Sequence, residues 1–212
     1  MNNAKMEQMQ AQAFAKYMEG AKTNDSQSQF MVGWCYFRGE GVEENNAEAL
    51  MWFTRAAAQG NVNAEHLLGV CYEGGFGVEE SAELAAEWYG KAAEDGNPSS
   101  QYRLAKFYEW GKGVEQDDVK SYELFYAAAQ QGSVQALTEL GICYATGRGV
   151  EKHSENAFKC FAKASADQNY PGALYNLARC YEIGFGVQKN PKEARRIKGI
   201  ADMVAKRWQE RE

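Results

Sequence analysis

Histidine is scarce in this chain, with only two among 212 residues. His66 and His153 are far apart in the sequence, which argues against a shared catalytic site that pairs a base with a nucleophile. Long apolar runs are also missing, and no segment approaches the 18 consecutive apolar residues of a membrane-spanning helix. The amino-terminal stretch MNNAKMEQMQAQAF has no uncharged apolar run of signal-peptide length. We therefore expect a soluble, cytoplasmic protein that is not an enzyme and has no membrane partner.

An excess of positive charge is absent as well. The formal net charge is −6 and the sequence pI is about 5.2. Binding to nucleic acid needs clustered Lys and Arg side chains that neutralise phosphates. The overall balance excludes nucleic acid as the expected partner and favours basic or neutral ligands.

One phrase recurs along the chain, and its first copy reads YFRGEGVEE. The copies begin at intervals of 36, 36, 36 and 37 residues, which is typical of a chain built from one repeated supersecondary unit. A phosphate-binding loop is disfavoured because neither G-x-x-x-x-G-K-[ST] nor G-x-G-x-x-G is present. We predict instead that the first glycine of each copy ends a helix in the left-handed conformation. These glycines are Gly39, Gly75, Gly111, Gly147 and Gly184.

Each repeat divides into two helical segments. In the second copy, Ala64, Leu68, Cys71, Tyr72 and Gly75 fall on one helical stripe, which we interpret as the core face of the first helix. A very small residue always follows the aliphatic position, although Gly costs about 1 kcal/mol relative to Ala inside a helix. This column indicates close approach of a neighbouring helix. Its members are Gly33, Gly69, Ala105, Gly141 and Ala178.

The second helix of each repeat is predicted to begin after a polar N-cap residue. One aromatic column follows in this helix, formed by Phe53, Tyr89, Phe125 and Phe161. The expected N-caps are Asn45, Ser81, Asp117, Ser154 and Asn190.

The five cysteines form no C-x-x-C pair, so no metal or cofactor site is expected. Four of them, Cys35, Cys71, Cys143 and Cys180, occupy one column in which the third copy has Phe107. Exchange with Phe indicates buried packing. Helices pack about 8 to 10 Å apart, whereas disulfide-bonded residues have Cα atoms about 4.4 to 6.8 Å apart. Reduced core cysteines are therefore predicted.

The ends of the chain differ from the repeats. Residues 11–24 match the second helix of a missing earlier repeat, and the charged carboxyl-terminal helix carries Ile197, Ala201, Val204 and Trp208 on one stripe. We expect an all-α fold: a right-handed α-solenoid with a capping helix at each terminus. Its predicted parts are an N-terminal cap (1–25), one solenoid over 26–202 with five repeats (26–61, 62–97, 98–133, 134–170 and 171–202), and a helical extension (203–212).

The consensus A-x-x-x-L-G-x-x-Y-x-x-G-x-G-V, followed by A-x-x-(W/F)-(F/Y)-x-x-A-A-x-x-G, resembles the Sel1-like repeat, a relative of the tetratricopeptide repeat. The second copy carries nearly every landmark, as AEHLLGVCYEGGFGV and AEWYGKAAEDG show. The resemblance implies an α-solenoid that acts as an adaptor or scaffold for other proteins, generally without catalysis. It implies no particular partner.

Some first-helix positions vary from copy to copy while the core columns stay constant. In such a stack the first helices line the concave side, so these positions predict a groove that binds a peptide or protein of unknown identity. Packing between adjacent repeats is the alternative role for the aromatic members. The predicted ligand-binding residues are Phe30, Trp34, Phe37, Arg38, His66, Glu73, Tyr102, Lys106, Glu109, Trp110, Tyr175 and Arg179.

Catalysis and self-assembly are the two alternatives to binding. Glu73 and Glu109 are one repeat apart and resemble a catalytic carboxylate pair, but a repeated solvated column explains them better. The basic carboxyl-terminal helix with Trp208 suggests self-assembly, for which a solubilising cap is the simpler explanation. We expect a monomer, with weak homo-oligomer formation as the alternative.

Overall fold

The chain folds into helices only, over the part that the structure covers. The computed structural model describes residues 3–166 and 170–210, which contain eleven helices and no strand. A single helix, α1 (Asn3–Lys22), precedes five helix pairs. The predicted all-α solenoid of five two-helix repeats with capping helices is therefore confirmed. The pairs are α2 (Ser26–Arg38) with α3 (Asn46–Ala57), α4 (Val62–Gly74) with α5 (Ala82–Glu94), α6 (Pro98–Trp110) with α7 (Asp118–Gln130), α8 (Val134–Thr146) with α9 (Ser154–Ala164), and α10 (Pro171–Ile183) with α11 (Pro191–Gln209).

The helices belong to two compact units. Unit 1 comprises residues up to 107 together with 111–115, and unit 2 comprises 108–110 and the residues from 116 onward. In unit 1, helices α1 to α5 pack in succession, each against the next. In unit 2, α7 to α11 do the same. The core of each unit therefore lies between helices that are consecutive in the chain, as expected for stacked repeats.

Glycine ends the first helices, as predicted. Gly39 has a φ of +67° and its N–H donates to the carbonyl oxygen of Cys35. Only glycine takes this left-handed conformation without a steric cost from Cβ. The other four predicted glycines, Gly75, Gly111, Gly147 and Gly184, cap their helices in the same way.

Four of the five predicted N-caps of the second helices are confirmed. Asn45 is typical, since its Oδ1 accepts hydrogen bonds from the N–H groups of Ala47 and Glu48 at 3.1 Å. The prediction of Ser154 is wrong. His153 is the N-cap of α9, and its Nδ1 accepts from the N–H of Asn156 at 3.3 Å, so that Ser154 is the first helical residue. Residue preferences missed this because an imidazole seldom serves as a cap.

The small column exists because an aromatic ring lies against it. A Cβ atom on Gly33 would stand 2.7 Å from the ring of Phe53, and one on Gly69 would stand 2.5 Å from the ring of Tyr89. A Cβ on Gly141 would likewise stand 2.5 Å from the ring of Phe161. The predicted close approach of the two helices within a repeat is confirmed. The stability lost by placing Gly in a helix is offset by the packing of these fully or almost fully buried rings.

The second glycine of each phrase sets the contact with the preceding repeat, a role that the sequence did not reveal. A Cβ on Gly77 would lie 2.3 Å from the carbonyl oxygen of Asn46, at the start of α3. A Cβ on Gly41 would lie 2.3 Å from the carbonyl oxygen of Gln10. These neighbours are backbone atoms, which cannot move aside. Gly113, Gly149 and Gly186 meet the second helix of the preceding repeat in the same manner.

The recurring tyrosines lie at the margin of the core. Each is half-buried. The ring of Tyr36 packs edge-on against Phe14 of α1 at 5.4 Å, and Tyr181 packs against Phe158 at 5.5 Å. Tyr36, Tyr144 and Tyr181 pack against buried core clusters, so these side chains are partly buried members of the predicted core face.

The terminal helices cover the ends of the two units. The helix α1 is longer than the predicted segment 11–24, and on α11 the side chains of Ile197, Ala201 and Val204 are buried. Trp208 departs from that stripe, with 48% of its surface exposed. The extra residue predicted in the last interval belongs to the segment 167–173, of which 167–169 lie outside the described residues.

All five cysteines are free thiols, and the four of the predicted column are buried. Burial raises the pKa of the Cys71 thiol to about 12. The thiol is therefore protonated and unreactive at neutral pH, as suits a packing residue.

Candidate binding surface

Four aromatic side chains form a continuous patch in unit 1. The ring of Phe37 lies 6.3 Å from Trp34, 5.6 Å from Phe76 and 6.2 Å from the buried Phe53. Phe30 packs 6.0 Å from Phe53 on the same side. We name Phe30, Trp34, Phe37 and Phe76 the aromatic patch. Each of the first three is half-buried and Phe76 is exposed, so the patch contributes to packing and also presents ring surface to solvent.

An arginine borders this patch. The Arg38 guanidinium lies 5.9 Å from the centre of the Trp34 ring, within cation–π distance. Its other neighbour is the Glu40 carboxylate at 3.9 Å, and both side chains are largely exposed. The weak, solvated ion pair leaves the guanidinium available to a ligand carboxylate.

His66 and Glu73 mainly join the second repeat to the third within unit 1. His66 Nδ1 is hydrogen-bonded to Ser100 Oγ at 2.8 Å. Burial, together with the nearby Arg103 charge, lowers the pKa of His66, which keeps its imidazole neutral at pH 7. Glu73 accepts a hydrogen bond from Tyr89 at 2.7 Å and pairs with Lys112 at 3.4 Å.

Glu109 is similarly engaged in unit 2. Its carboxylate forms a short ion pair with Arg148, and only 10% of its side-chain surface is exposed. Arg148 also lies 3.8 Å from Glu139 and donates to the sulfur of Cys143 at 3.7 Å. Glu73 and Glu109 therefore each bind a cation of the following repeat within their own unit.

These contacts reveal one pair of columns that the sequence analysis missed. The residue one position after the recurring tyrosine meets the residue between the two glycines of the next copy. The pairs are Phe37 with Phe76, Glu73 with Lys112, and Glu109 with Arg148. The signal was present, since an aromatic residue faces an aromatic one and an acid faces a base across a constant separation of 39 residues.

The fourth pair is different because its first member is small. Ala145 and Phe185 both line an open cavity of about 240 Å³ in unit 2. In the first pair the rings of Phe37 and Phe76 are in contact, whereas in the fourth pair the ring of Phe185 borders the cavity. The other apolar walls include Ile142, Phe161 and Ile183, and the polar lining includes Arg179.

The remaining predicted site residues fall on the two units separately. Tyr102 and Lys106 are half-buried on α6 in unit 1. In unit 2, Trp110 at the end of α6 is 65% exposed, Arg179 is exposed, and the hydroxyl of Tyr175 donates to Asp202 Oδ1 at 2.7 Å. The structure thus brings together Phe30, Trp34, Phe37 and Arg38, while the other candidates stand elsewhere on their units.

The family model for the Sel1 repeat matches residues 26–61, 62–97, 98–133, 134–169 and 171–196. This chain belongs to the Sel1 repeat family. Proteins of this family are generally scaffolds for protein–protein interaction, and they generally lack catalytic activity. No curated protein matches the chain.

Solved Sel1 repeat structures resemble the chain closely. A Sel1 repeat protein from Oxalobacter formigenes has a TM-score of 0.86 and 26% identity, with 95% of this chain and 82% of that chain covered. A protective antigen of uropathogenic Escherichia coli with an SLR fold has a TM-score of 0.71 and 27% identity. The match covers 90% of this chain but only 48% of that one. A Sel1 repeat protein from Klebsiella pneumoniae, at 21% identity and a TM-score of 0.56, shares the fold over 90% of this chain and 92% of its own.

The Sel1 repeats carry neither a metal cluster nor a membrane span where the structure describes them. Over residues 3–166 and 170–210, His, Cys, Asp and Glu side chains nowhere gather in threes that could hold a metal ion. Over the same ranges no helix combines the length and apolarity needed to cross a bilayer.

Proposed function

We propose that this protein is a non-catalytic scaffold or adaptor that binds a peptide or protein segment on the variable face of its first helices. The aromatic patch of unit 1 carries the proposal. Trp34, Phe37 and Phe76 are in contact, yet all present surface to solvent beside the exposed Arg38. Large aromatic anchors bordered by charge are the usual composition of a binding hot spot.

The predicted residues that join adjacent repeats support this function indirectly. His66 binds Ser100 on the first helix of the next repeat, and Glu73 and Glu109 bind Lys112 and Arg148 in the loops that follow the next first helices. A surface held in place before binding loses less conformational entropy when a ligand docks. These contacts therefore keep the binding face rigid, while Trp110 and Arg179 present exposed side-chain surface.

The proposal is tested by comparing captured proteins. The intact chain and a Trp34→Ala/Phe76→Ala variant are used as baits in native cell extract, with bound proteins quantified by mass spectrometry. Truncating two partly exposed rings removes anchor area, so we expect at least one protein to be retained by the wild type and lost from the variant. Leu84→Ala is the matched control, because Leu84 is an equally accessible apolar side chain on a second helix.

Thermal melts of all three proteins are needed beside the capture. The variant is expected to melt cooperatively and retain its helical signal, since both rings lie at the surface of the core. If the variant and the wild type capture the same proteins in the same amounts, the aromatic patch serves packing and the proposed binding face is wrong. Loss of the same proteins from Leu84→Ala would also contradict the assignment.

A further inference from the structure

We propose that the cavity beside Ala145 is a binding pocket for an aromatic ligand side chain that carries a carboxylate nearby. This inference rests on the proposed binding function and names the chemistry of one ligand group. Its basis is the paired column between successive repeats. Three of the four pairs are complete, with ring on ring or carboxylate on cation, whereas Ala145 and Phe185 line a cavity.

The first repeat shows what fits in such a space. There, the ring of Phe37 meets Phe76 at 5.6 Å with the planes nearly perpendicular, at 83°. Phe185 occupies the position of Phe76, and Ala145 that of Phe37, so the missing group is a benzyl side chain. A dry apolar cavity of roughly 150 Å³ already accepts benzene. The cavity here is about 240 Å³, which is large enough for a Phe or Tyr side chain.

The walls of the cavity favour an apolar group. Ile142, Ala145 and Phe185 line it together with Phe161, which is buried at 3% exposure. Ile183, which also lines the cavity, has 57% of its surface exposed. An aromatic ring placed here would bury the exposed surface of Ile183 and contact Phe185 edge-on.

One charged group stands in the lining. Arg179 is exposed, and its guanidinium has no hydrogen-bond or ion-pair partner among the described residues. The two other polar lining side chains are already engaged, since Thr146 donates to the carbonyl oxygen of Ile142 and Asn176 donates to that of Gly172. The available cation therefore points to a ligand carboxylate, which guanidinium binds in a bidentate manner.

The carboxylate has two possible sources in a peptide, and small probes distinguish them. N-acetyl-phenylalanine presents the α-carboxylate of a chain terminus, and N-acetyl-aspartyl-phenylalaninamide presents a side-chain carboxylate. N-acetyl-phenylalaninamide has the ring but no charge. Binding is followed by NMR shifts of the Ile142 and Ile183 methyl groups. We expect at least one charged probe to bind with a Kd on the order of 1 mM, as is usual for a ligand of this size, and the amide to bind about tenfold more weakly.

Two substitutions test the pocket itself. Ala145→Phe restores the ring that the first repeat has, and we expect it to abolish probe binding without lowering the melting temperature. Arg179→Gln is expected to reduce the affinity for the charged probes to that of the amide. Arg207→Gln removes an exposed arginine on α11 that does not line the cavity, and it should bind every probe as the wild type does.

The outcomes separate this inference from the general function. If Ala145→Phe folds and still binds the probe, or if the shifts lie away from Ile142 and Ile183, the pocket is wrong. If Arg179→Gln still binds the charged probes more tightly than the amide, as the wild type does, the carboxylate contact is wrong. The contact is also wrong if Arg207→Gln lowers the affinity for the charged probes as much as Arg179→Gln does. The Trp34→Ala/Phe76→Ala variant should bind the probe with wild-type affinity. A negative capture experiment therefore does not contradict the pocket, and a probe that does not bind does not contradict the capture result.

Discussion

At the scale of single residues, one buried carboxylate stands out. Glu65 has 7% of its surface exposed and its Oε2 has no hydrogen-bond partner among the described residues. The same column holds Gln29 and Gln101, whose amides donate to Asn24 at 3.1 Å and to the carbonyl oxygen of Ala93 at 3.2 Å. A carboxylate cannot donate in this way. Burial raises the pKa of Glu65. The negative charge of Asp95 raises this pKa further by a smaller amount, and the positive charge of Lys91 opposes both effects.

We predict that Glu65→Gln stabilises the protein at pH 7, by about 1 to 2 kcal/mol. The pKa of Glu65 is higher in the folded state than in the unfolded state. The contribution of this carboxyl group to folding stability is therefore fully present below the unfolded pKa near 4.5, and it is lost as the pH rises through the folded pKa. The advantage of the variant is therefore largest at neutral pH and smallest at acid pH. Urea unfolding at pH 7 and pH 4.5 measures it, with the exposed Glu79→Gln as control. An equal gain at both pH values would contradict this account.

Other single residues were predictable only in part. Glycine at the helix ends follows from its tolerance of positive φ, and the N-cap residues Asn45 and Asp117 follow from their short acceptor side chains. The cap at His153 and the partial exposure of Tyr36 were not predicted. A cap made by an imidazole and a tyrosine at the edge of a core depend on what neighbouring helices leave accessible, which no local preference encodes.

At the scale of helices, the contact between successive repeats depends on a glycine that meets backbone atoms. Gly75 and Gly77 have nearly equal φ values, +67° and +72°. A Cβ on Gly75 would have 3.6 Å of clearance, whereas one on Gly77 would stand 2.3 Å from the carbonyl oxygen of Asn46. The first glycine serves its own helix, and the second allows the preceding helix to approach.

Alanine substitutions of Gly75 and Gly77 should therefore lower the free energy of unfolding by different amounts. Gly75→Ala is expected to cost only the left-handed penalty, about 1 to 2 kcal/mol. Gly77→Ala adds a clash that moves α3 away from the loop, and we expect about 1 to 3 kcal/mol more. Chemical denaturation followed by helical circular dichroism gives both values. Equal losses would show that the approach of Asn46 does not constrain the repeats.

At the scale of the whole molecule, the last repeat lacks an apolar end. Lys198, which is exposed, stands in the column that buries Phe161 one repeat earlier. Beside it, Tyr175 and Asp202 form an exposed hydrogen bond at 2.7 Å. Another copy stacked on this surface would have to desolvate these polar groups without replacing their partners. The same α11 nevertheless exposes Met203 and Trp208, the residues on which self-assembly would depend.

We predict a monomer by size exclusion with light scattering. Lys198→Phe with Asp202→Ala makes the end of the last repeat apolar, and this variant is expected to associate in a concentration-dependent manner. Lys206→Phe, which adds a ring on an exposed position of the same helix, is the control and should remain monomeric. A wild-type dimer that Met203→Ser and Trp208→Ser disperse would favour self-assembly through α11 instead.

The sequence by itself determined the repeat, its two helices, the small column and every predicted cap except that of α9, because each depends on residues close in the chain or on a period of about 36. Tertiary structure alone decided how the variable positions are used. Phe37 meets a ring and Glu109 meets a guanidinium, whereas Ala145 meets an empty volume. These partners lie in the next repeat, and whether a side chain is covered, paired or left open depends on the size and charge of both members together with the distance at which their helices pack.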